Sequence, residues 1–185
     1  GNIIAHYKTD KLNKNINPIA FVAHMDHPGF EAISYNQNNE LEAKPLGGVP
    51  LSSLKSKNAI LIKSAKGDWV KGIIKPANNN TENKIVYVDL NNETPIKLPA
   101  PIVFDLKKFF IKDNSIYMRA IDDLAGCSSI LSALYQIAEN KIKANLYAVF
   151  TRAEEVGLIG ARLICENKIL PINTTVVSVE SSPLI

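Results

Sequence analysis

Acidic and imidazole side chains follow the apolar runs of this sequence at four separate places. His24 and Asp26 come directly after the run at residues 19–23, and acidic residues come after three later runs. These later acidic residues are Asp122, Asp123, Glu154, Glu155 and Glu180. The carboxyl ends of parallel strands meet at one edge of a sheet, which is where such sheets bind ligands. Because six carboxylates would repel one another there, the pattern predicts a bound divalent metal that offsets the repulsion.

Each of these residues also has an ordinary structural explanation. Asp122 or Asp123 would cap the following helix, because Asp is a favoured N-cap residue. Glu154 and Glu155 would lie in a solvated loop near the positive end of a helix dipole, and Glu180 would be an ordinary exposed residue. We favour the metal site because all of these explanations would have to coincide at four strand ends.

The elements that must position these residues alternate between strand and helix patterns. Continuous apolar runs predict buried strands at residues 19–23, 116–120, 145–151 and 174–179. Apolar residues at three-to-four spacing predict amphipathic helices at residues 124–138 and 158–165. Strands and helices joined by short connections are typical of a parallel-containing sheet flanked by helices. The expected fold class is therefore α/β.

The stretch between residues 30 and 115 has a different pattern. Short β-prone runs occur at residues 59–62, 69–74 and 85–88, with turn signals at 47–48, 66–68 and 78–80. Such spacing without a helical period predicts a small β-barrel or sandwich. We therefore expect an α/β domain of residues 1–29 and 116–185, interrupted by an inserted β domain of residues 30–115.

Composition excludes several classes of partner. The 185 residues carry a net charge of +3 without a dense Lys/Arg run, which argues against nucleic-acid binding. No apolar stretch approaches the length of about 18 residues that a membrane span needs, and no basic-then-apolar leader is visible. We therefore expect a cytoplasmic protein, in which Cys127 and Cys165 are two buried thiols rather than a disulfide.

Four sequence motifs carry a resemblance to a known family. They are AHMD at 23–26, AIDDLAGC at 120–127, TRAEEVGLIGA at 151–161 and VSVE at 177–180. Together they resemble the glutamyl/deblocking aminopeptidases, the tetrahedral aminopeptidases, within the clan of co-catalytic zinc metallopeptidases. Residues 45–49 and 72–74 are similar to that family's inserted β domain. The resemblance spans nearly the whole chain and implies a zinc exopeptidase-like fold.

The resemblance implies a set of metal ligands. His24 is similar to a ligand of one metal, and Glu180 to the acidic ligand that completes this first site. Asp122 resembles the carboxylate that bridges both metals, and Glu155 resembles a ligand of the second. Two divalent ions are therefore expected, with zinc favoured for a mixed His/carboxylate set and cobalt or manganese as alternatives.

The resemblance also implies roles for the neighbouring acids. Glu154 matches the general base, which takes a proton from a metal-activated water and returns it to the leaving amine. Asp26 matches the residue that hydrogen-bonds and orients the His ligand. Asp123 stands where the family commonly has Asn, and we assign it no ligand role.

The implied function is a metallo-aminopeptidase that removes N-terminal residues from peptides. Its expected partners are peptide substrates and further copies of the same chain, associated through the inserted domain. Alternatives are an amidohydrolase or deacylase of the same clan, or a non-catalytic truncated relative that serves assembly.

Two departures from the family pattern concern the ends of the sequence. Residues 1–5 resemble the middle of an early strand of that family, and the helices that usually precede this strand are absent from the sequence. The family supplies a His to the second metal from a segment beyond the Glu180 position, whereas no His follows His27 here. Asp122 and Glu155 would then be the second metal's protein ligands within this sequence. We expect the 185 residues to be part of a longer polypeptide, and to be inactive or weakly active alone.

Overall fold

The computed structural model of the chain describes residues 1–9, 16–49, 51, 54, 58–75, 85–90, 94–106 and 109–182. Its contacts divide into two compact units. The first unit comprises Gly1–His27 and Ala120–Ile185, and the second comprises Pro28–Arg119. The chain therefore leaves the first unit after one segment and returns to it about 90 residues later.

A four-stranded mixed sheet forms the centre of the first unit. Its strands are β1 (Ile3–Lys8), β2 (Ile19–His24), β11 (Asn145–Thr151) and β12 (Thr175–Ser178), in the order β1-β11-β2-β12. β2 pairs in parallel with both β11 and β12, whereas β1 pairs antiparallel with β11. The predicted parallel-containing sheet is thus present, with β2 between its two parallel partners.

One helix packs on each face of this sheet. Successive strand residues point to opposite faces, so Ala148 and Phe150 pack on α1 (Ile121–Glu139), while Val149 packs on α2 (Ile159–Glu166). The predicted helices start at residues 124 and 158, so the structure agrees with them within three residues at these ends. No helix within the described ranges is long and apolar enough to cross a membrane.

A closed six-stranded barrel forms most of the second unit, with the order β3-β4-β7-β6-β5-β8. Its strands are β3 (Gly29–Tyr35), β4 (Leu41–Leu46), β5 (Asn58–Lys63), β6 (Trp69–Lys75), β7 (Val86–Leu90) and β8 (Ala100–Phe104). Alternate residues fill the interior, among them Phe30, Ile60 and Ile62, each at most 1% exposed.

Strand patterns in the sequence predicted β5, β6 and β7 of the barrel, but not the other three strands. β4 contains a proline and two charges, which weaken a strand signal. The turn predicted at residues 78–80 lies outside the described residues.

A hairpin separates the barrel from α1 and corrects one prediction. Among the described strands, β9 (Phe109–Lys112) and β10 (Ser115–Met118) pair with each other alone, around a two-residue turn. Both turn residues, Asp113 and Asn114, have positive φ, as a type I′ hairpin turn requires. The run at residues 116–120 was expected to be a strand of the parallel sheet, and this local pairing shows that expectation to be wrong.

The two cysteines differ in environment. Cys127 is a buried thiol, as expected, and its Sγ lies 3.2 Å from the backbone oxygen of His24. Cys165 is exposed, which contradicts the expectation of two buried thiols. It belongs to the short helix α2, whose buried residues are Gly160 and Ile164, so Cys165 falls on the solvent side of the last turn.

Candidate metal centre

Parallel register places the carboxyl ends of three strands side by side in the first unit. In the pairing of β2 with β11, His24 lies opposite Thr151, and in its pairing with β12, Val22 lies opposite Ser178. The N–H of Met25 also donates to the oxygen of Thr151 at 2.9 Å, so the pairing continues past the strand end. Residues that follow these strands therefore reach the same edge of the sheet.

The imidazole of His24 lies at the centre of the acidic residues. Its Nδ1 is 2.9 Å from the backbone oxygen of Asp26, and a carbonyl oxygen can only accept. Nδ1 therefore carries a hydrogen, and the neutral ring presents the Nε2 lone pair. Nε2 lies 3.2 Å from Asp122 Oδ1, 3.4 Å from Glu180 Oε1 and 3.8 Å from Glu154 Oε2.

Asp122 and Asp123 reach this edge from the start of α1 rather than from a strand of the sheet. Their backbone angles are non-helical, so regular helix begins only after them. Asp123 Oδ1 accepts the N–H of Gly126 at 3.1 Å, which is the hydrogen bond of an N-cap residue. The capping explanation thus applies to Asp123, whereas Asp122 Oδ1 contacts His24.

The connection between β11 and α2 presents Glu154 and Glu155. It is tightly wound, because Ala153 and Leu158 both adopt the left-handed region, with φ of 57° and 56°. The oxygen of Glu154 accepts the N–H groups of both Gly157 and Leu158 at 2.9 Å. These local bonds define the turn, but they leave the N–H groups of Glu154 and Glu155 to an acceptor elsewhere in the chain.

The carboxylate of Asp26 provides that acceptor. Its Oδ1 accepts the backbone N–H of Glu154 at 3.1 Å, and its Oδ2 accepts the N–H of Glu155 at 3.2 Å. The same carboxylate lies 3.8 Å from His24 Nδ1, farther than the Asp26 backbone oxygen that binds this nitrogen. Asp26 therefore contacts the imidazole mainly through its backbone and the Glu154–Glu155 turn through its side chain.

Asn2 ties together the two ends of the same connection. Its Oδ1 accepts the N–H of Arg152 at 3.0 Å, and its Nδ2 donates to the oxygen of Gly160 at 2.8 Å. A Cβ at Gly160 would lie 2.8 Å from the nitrogen of Arg152, so only glycine fits this close approach. Spacing arguments did not identify Asn2 or Gly160, although both lie in segments with the family resemblance.

Acidic side chains concentrate negative charge around the imidazole of His24. Burial lowers the pKa of His24, but the hydrogen bond to the Asp26 carbonyl and the charges of Glu180 and Glu154 outweigh it, so the net pKa is raised. Burial raises the pKa of the Glu180 carboxyl, and its hydrogen bond with Asp122 raises it further. His24 and Glu180 thus both hold a proton more readily than usual, because the neighbouring carboxylates favour a positive charge at this position.

One further observation indicates that the side chains around His24 are suited to a divalent cation. Asp123 is fully buried, and its Oδ2 has no hydrogen-bond partner in the described part of the chain. Ligand atoms of His24, Asp123 and Glu180 lie within 4.8 Å of one another, as do those of His24, Glu154 and Glu155. The first group contains Asp123, for which the sequence predicted no ligand role, and Asp122 is in neither group, although its Oδ1 lies 3.2 Å from His24 Nε2. A neutral imidazole with several carboxylate oxygens is a ligand set that suits zinc and other first-row divalent metals.

Three solved structures from archaea show a similar fold at 21–24% identity. An aminopeptidase from Desulfurococcus kamchatkensis is 24% identical with a TM-score of 0.79, and the match covers 98% of this chain and 51% of that protein's chain. A TET aminopeptidase from a marine-sediment member of the Thaumarchaeota is 21% identical with a TM-score of 0.79, covering 97% and 54%. The TET1 peptidase of Pyrococcus horikoshii is 21% identical with a TM-score of 0.75, covering 97% and 56%.

These comparisons establish the fold, and this chain spans about half the length of each of those proteins. A family model provides the sequence-level comparison. The model of the M42 glutamyl aminopeptidases matches residues 1–179, which include every residue of the candidate metal centre except Glu180. The chain therefore belongs to the M42 glutamyl aminopeptidase family.

Proposed function

We propose that these residues belong to a metal-dependent aminopeptidase that hydrolyses the first peptide bond of its substrates. The observation that carries the proposal is the convergence of three carboxylates on His24 Nε2, at 3.2, 3.4 and 3.8 Å. In this proposal His24, Asp122 and Glu180 hold one divalent ion, zinc in the first instance. Asp122 and Glu155 contribute to a second ion.

The chain's own residues divide the chemistry between them. A divalent cation supplies Lewis acidity that polarises the scissile carbonyl and lowers the pKa of water. Glu154 takes the proton of the attacking water and passes it to the leaving amine. The Nδ1–H of His24 donates to the Asp26 carbonyl, which leaves the Nε2 lone pair available to hold a cation. The remaining acidic groups would hold the positively charged amino terminus of the peptide.

The substitution Glu154→Gln tests the general-base assignment in the full-length protein that contains these residues. It keeps the size of the side chain but removes proton transfer, so kcat for an aminoacyl-anilide should fall about 10²–10⁴-fold. Zn²⁺ affinity, measured by isothermal titration calorimetry, should change little. Unaltered kcat in this variant would contradict the assignment.

A comparison of substrates separates the two enzymatic alternatives. Peptides with a free amino terminus should be hydrolysed by an aminopeptidase, whereas N-acylated peptides should be preferred by a deacylase of the same clan. The family match over residues 1–179 favours the aminopeptidase. Exclusive hydrolysis of the acylated peptides would favour the deacylase instead.

We further propose that the two units are separate functional parts. The unit of Gly1–His27 and Ala120–Ile185 would be the catalytic domain, and Pro28–Arg119 would be the inserted domain through which copies associate. Two observations support the second assignment. The P. horikoshii peptidase can assemble into a tetrahedron or an octahedral shell, and two apolar side chains of the β9–β10 hairpin, Phe109 and Ile111, are 60% and 65% exposed.

A further inference from the structure

The Asp26 carboxylate does not make the hydrogen bond that the family resemblance assigns to it. The resemblance implies that this residue orients the His ligand. In the structure the Asp26 backbone oxygen does so, at 2.9 Å from His24 Nδ1. The Asp26 carboxylate instead accepts two consecutive backbone N–H groups, those of Glu154 and Glu155, at 3.1 and 3.2 Å.

We propose that Asp26 is a positioning residue for the Glu154–Glu155 turn, acting through its carboxylate on the backbone of both residues. The inference rests on the proposed function, since that function assigns the general base to Glu154 and a metal ligand to Glu155. The two residues are adjacent, so one carboxylate that fixes both amides fixes the offset between base and ligand. Bonds from N–H groups to a charged oxygen are roughly twice as strong as neutral ones.

The arrangement lets one residue orient two parts of the site independently. The backbone of Asp26 belongs to the segment after β2, so its carbonyl holds the imidazole whatever the side chain is. The side chain reaches the connection after β11, which is 128 residues later in the chain. Truncation of the side chain therefore separates the two roles, because it removes the bonds to the turn and keeps the bond to His24.

The experiment measures amide hydrogen exchange by NMR in the full-length chain, comparing the wild type with Asp26→Ala. We expect the N–H groups of Glu154 and Glu155 to exchange at least about tenfold faster in the variant, because each loses a hydrogen bond to a charged group. The His24 imidazole should keep its Nδ1–H tautomer, reported by its ring nitrogen shifts. Zn²⁺ affinity should fall about 10–100-fold, as it does when other indirect contacts of metal ligands are removed.

Two further variants complete the design. Glu139→Ala removes an equal charge at the last residue of α1, about 25 Å by helix rise from Asp122 at its start, and should leave both amides and the Zn²⁺ affinity unaltered. Asp26→Asn keeps the shape and one acceptor oxygen, so one of the two amides should retain its protection. This milder variant also serves if Asp26→Ala does not fold.

Unaltered exchange of both amides in Asp26→Ala would overturn the inference. A change of His24 tautomer with intact amides would do the same, and would show that the carboxylate acts through the imidazole. Failure of the proposed function has a different signature. The wild-type chain would then bind no Zn²⁺ in calorimetry, while the two amides could still depend on Asp26.

Discussion

His24 combines burial with the largest number of acidic neighbours at the candidate centre. Only 3% of its surface is exposed, yet one carbonyl oxygen and four carboxylates lie within 4 Å of its ring nitrogens. An isolated imidazole in this position would lose its charge on burial, and the surrounding acids reverse that tendency. A proton and the proposed divalent cation would therefore compete for the same nitrogen, Nε2.

This competition predicts how the stability of the metal-free chain depends on pH. The pKa of His24 is raised in the folded state above its ordinary value of 6.5, so the folded chain binds the proton more tightly than the unfolded chain. The resulting stabilisation is complete below pH 6.5 and is lost as the pH rises through the folded-state pKa. The free energy of unfolding should therefore decrease as the pH rises from about 6.5 through the raised pKa of His24.

Urea unfolding across this interval measures the effect, with EDTA present to exclude metals. His24→Gln should flatten the profile, because its side chain does not titrate. The raised pKa of Glu180 acts in the same direction but from lower pH, starting near its ordinary value of 4.5. An equally steep decrease in the variant would show that another group is responsible.

At the scale of elements, the site depends on how α2 is joined to β11. Asn2 Oδ1, in the segment before β1, accepts the N–H of Arg152, and Gly160 in the first turn of α2 packs directly on the Arg152 backbone. The connection from Arg152 to Gly160 contains Glu154 and Glu155. Precise placement of these acids therefore relies on a glycine and an amide that do no chemistry themselves.

Gly160→Ala should lower the free energy of unfolding by about 1–3 kcal/mol, the usual cost of overpacking a close contact. The added Cβ would lie 2.5 Å from Asn2 Oδ1 and 2.8 Å from the nitrogen of Arg152. Chemical denaturation monitored by circular dichroism measures the change. Gly48→Ala is the matched control, since no atom lies within 4 Å of the Cβ position there. Equal stability of the two variants would contradict the explanation.

At the scale of the whole molecule, the candidate site and the barrel belong to different units. Every residue of the candidate centre lies within Gly1–His27 or Ala120–Ile185. The barrel has its own closed hydrogen-bonding pattern and its own hydrophobic core. A unit with these properties can fold without the rest of the chain.

The segment 28–119, expressed alone, should therefore unfold cooperatively and self-associate without binding Zn²⁺ tightly. Circular dichroism measures the folding, sedimentation equilibrium the association, and calorimetry the metal. Self-association follows from the proposed role of the inserted domain. A folded but monomeric segment, beside an oligomeric full-length chain, would place the subunit interface outside the inserted domain.

The sequence by itself determined the types of residue that could bind a metal and the elements that precede most of them. β2, β11 and β12 are apolar enough to be read as strands, and parallel strands bring their carboxyl ends to one edge. His24, Glu154 and Glu180 follow from that rule alone. Three barrel strands were missed, because a strand such as β4 has no continuous apolar run and is defined by its partners.

Only the tertiary structure decided which groups meet. The residues before Asp122 pair as a hairpin, so this carboxylate arrives from a helix start and not from a strand of the sheet. Asp26 reaches Glu154 and Glu155 across 128 and 129 residues of chain. Sequence patterns report local periodicity and burial, whereas a hydrogen bond between distant segments depends on register and packing, which exist only in the folded chain.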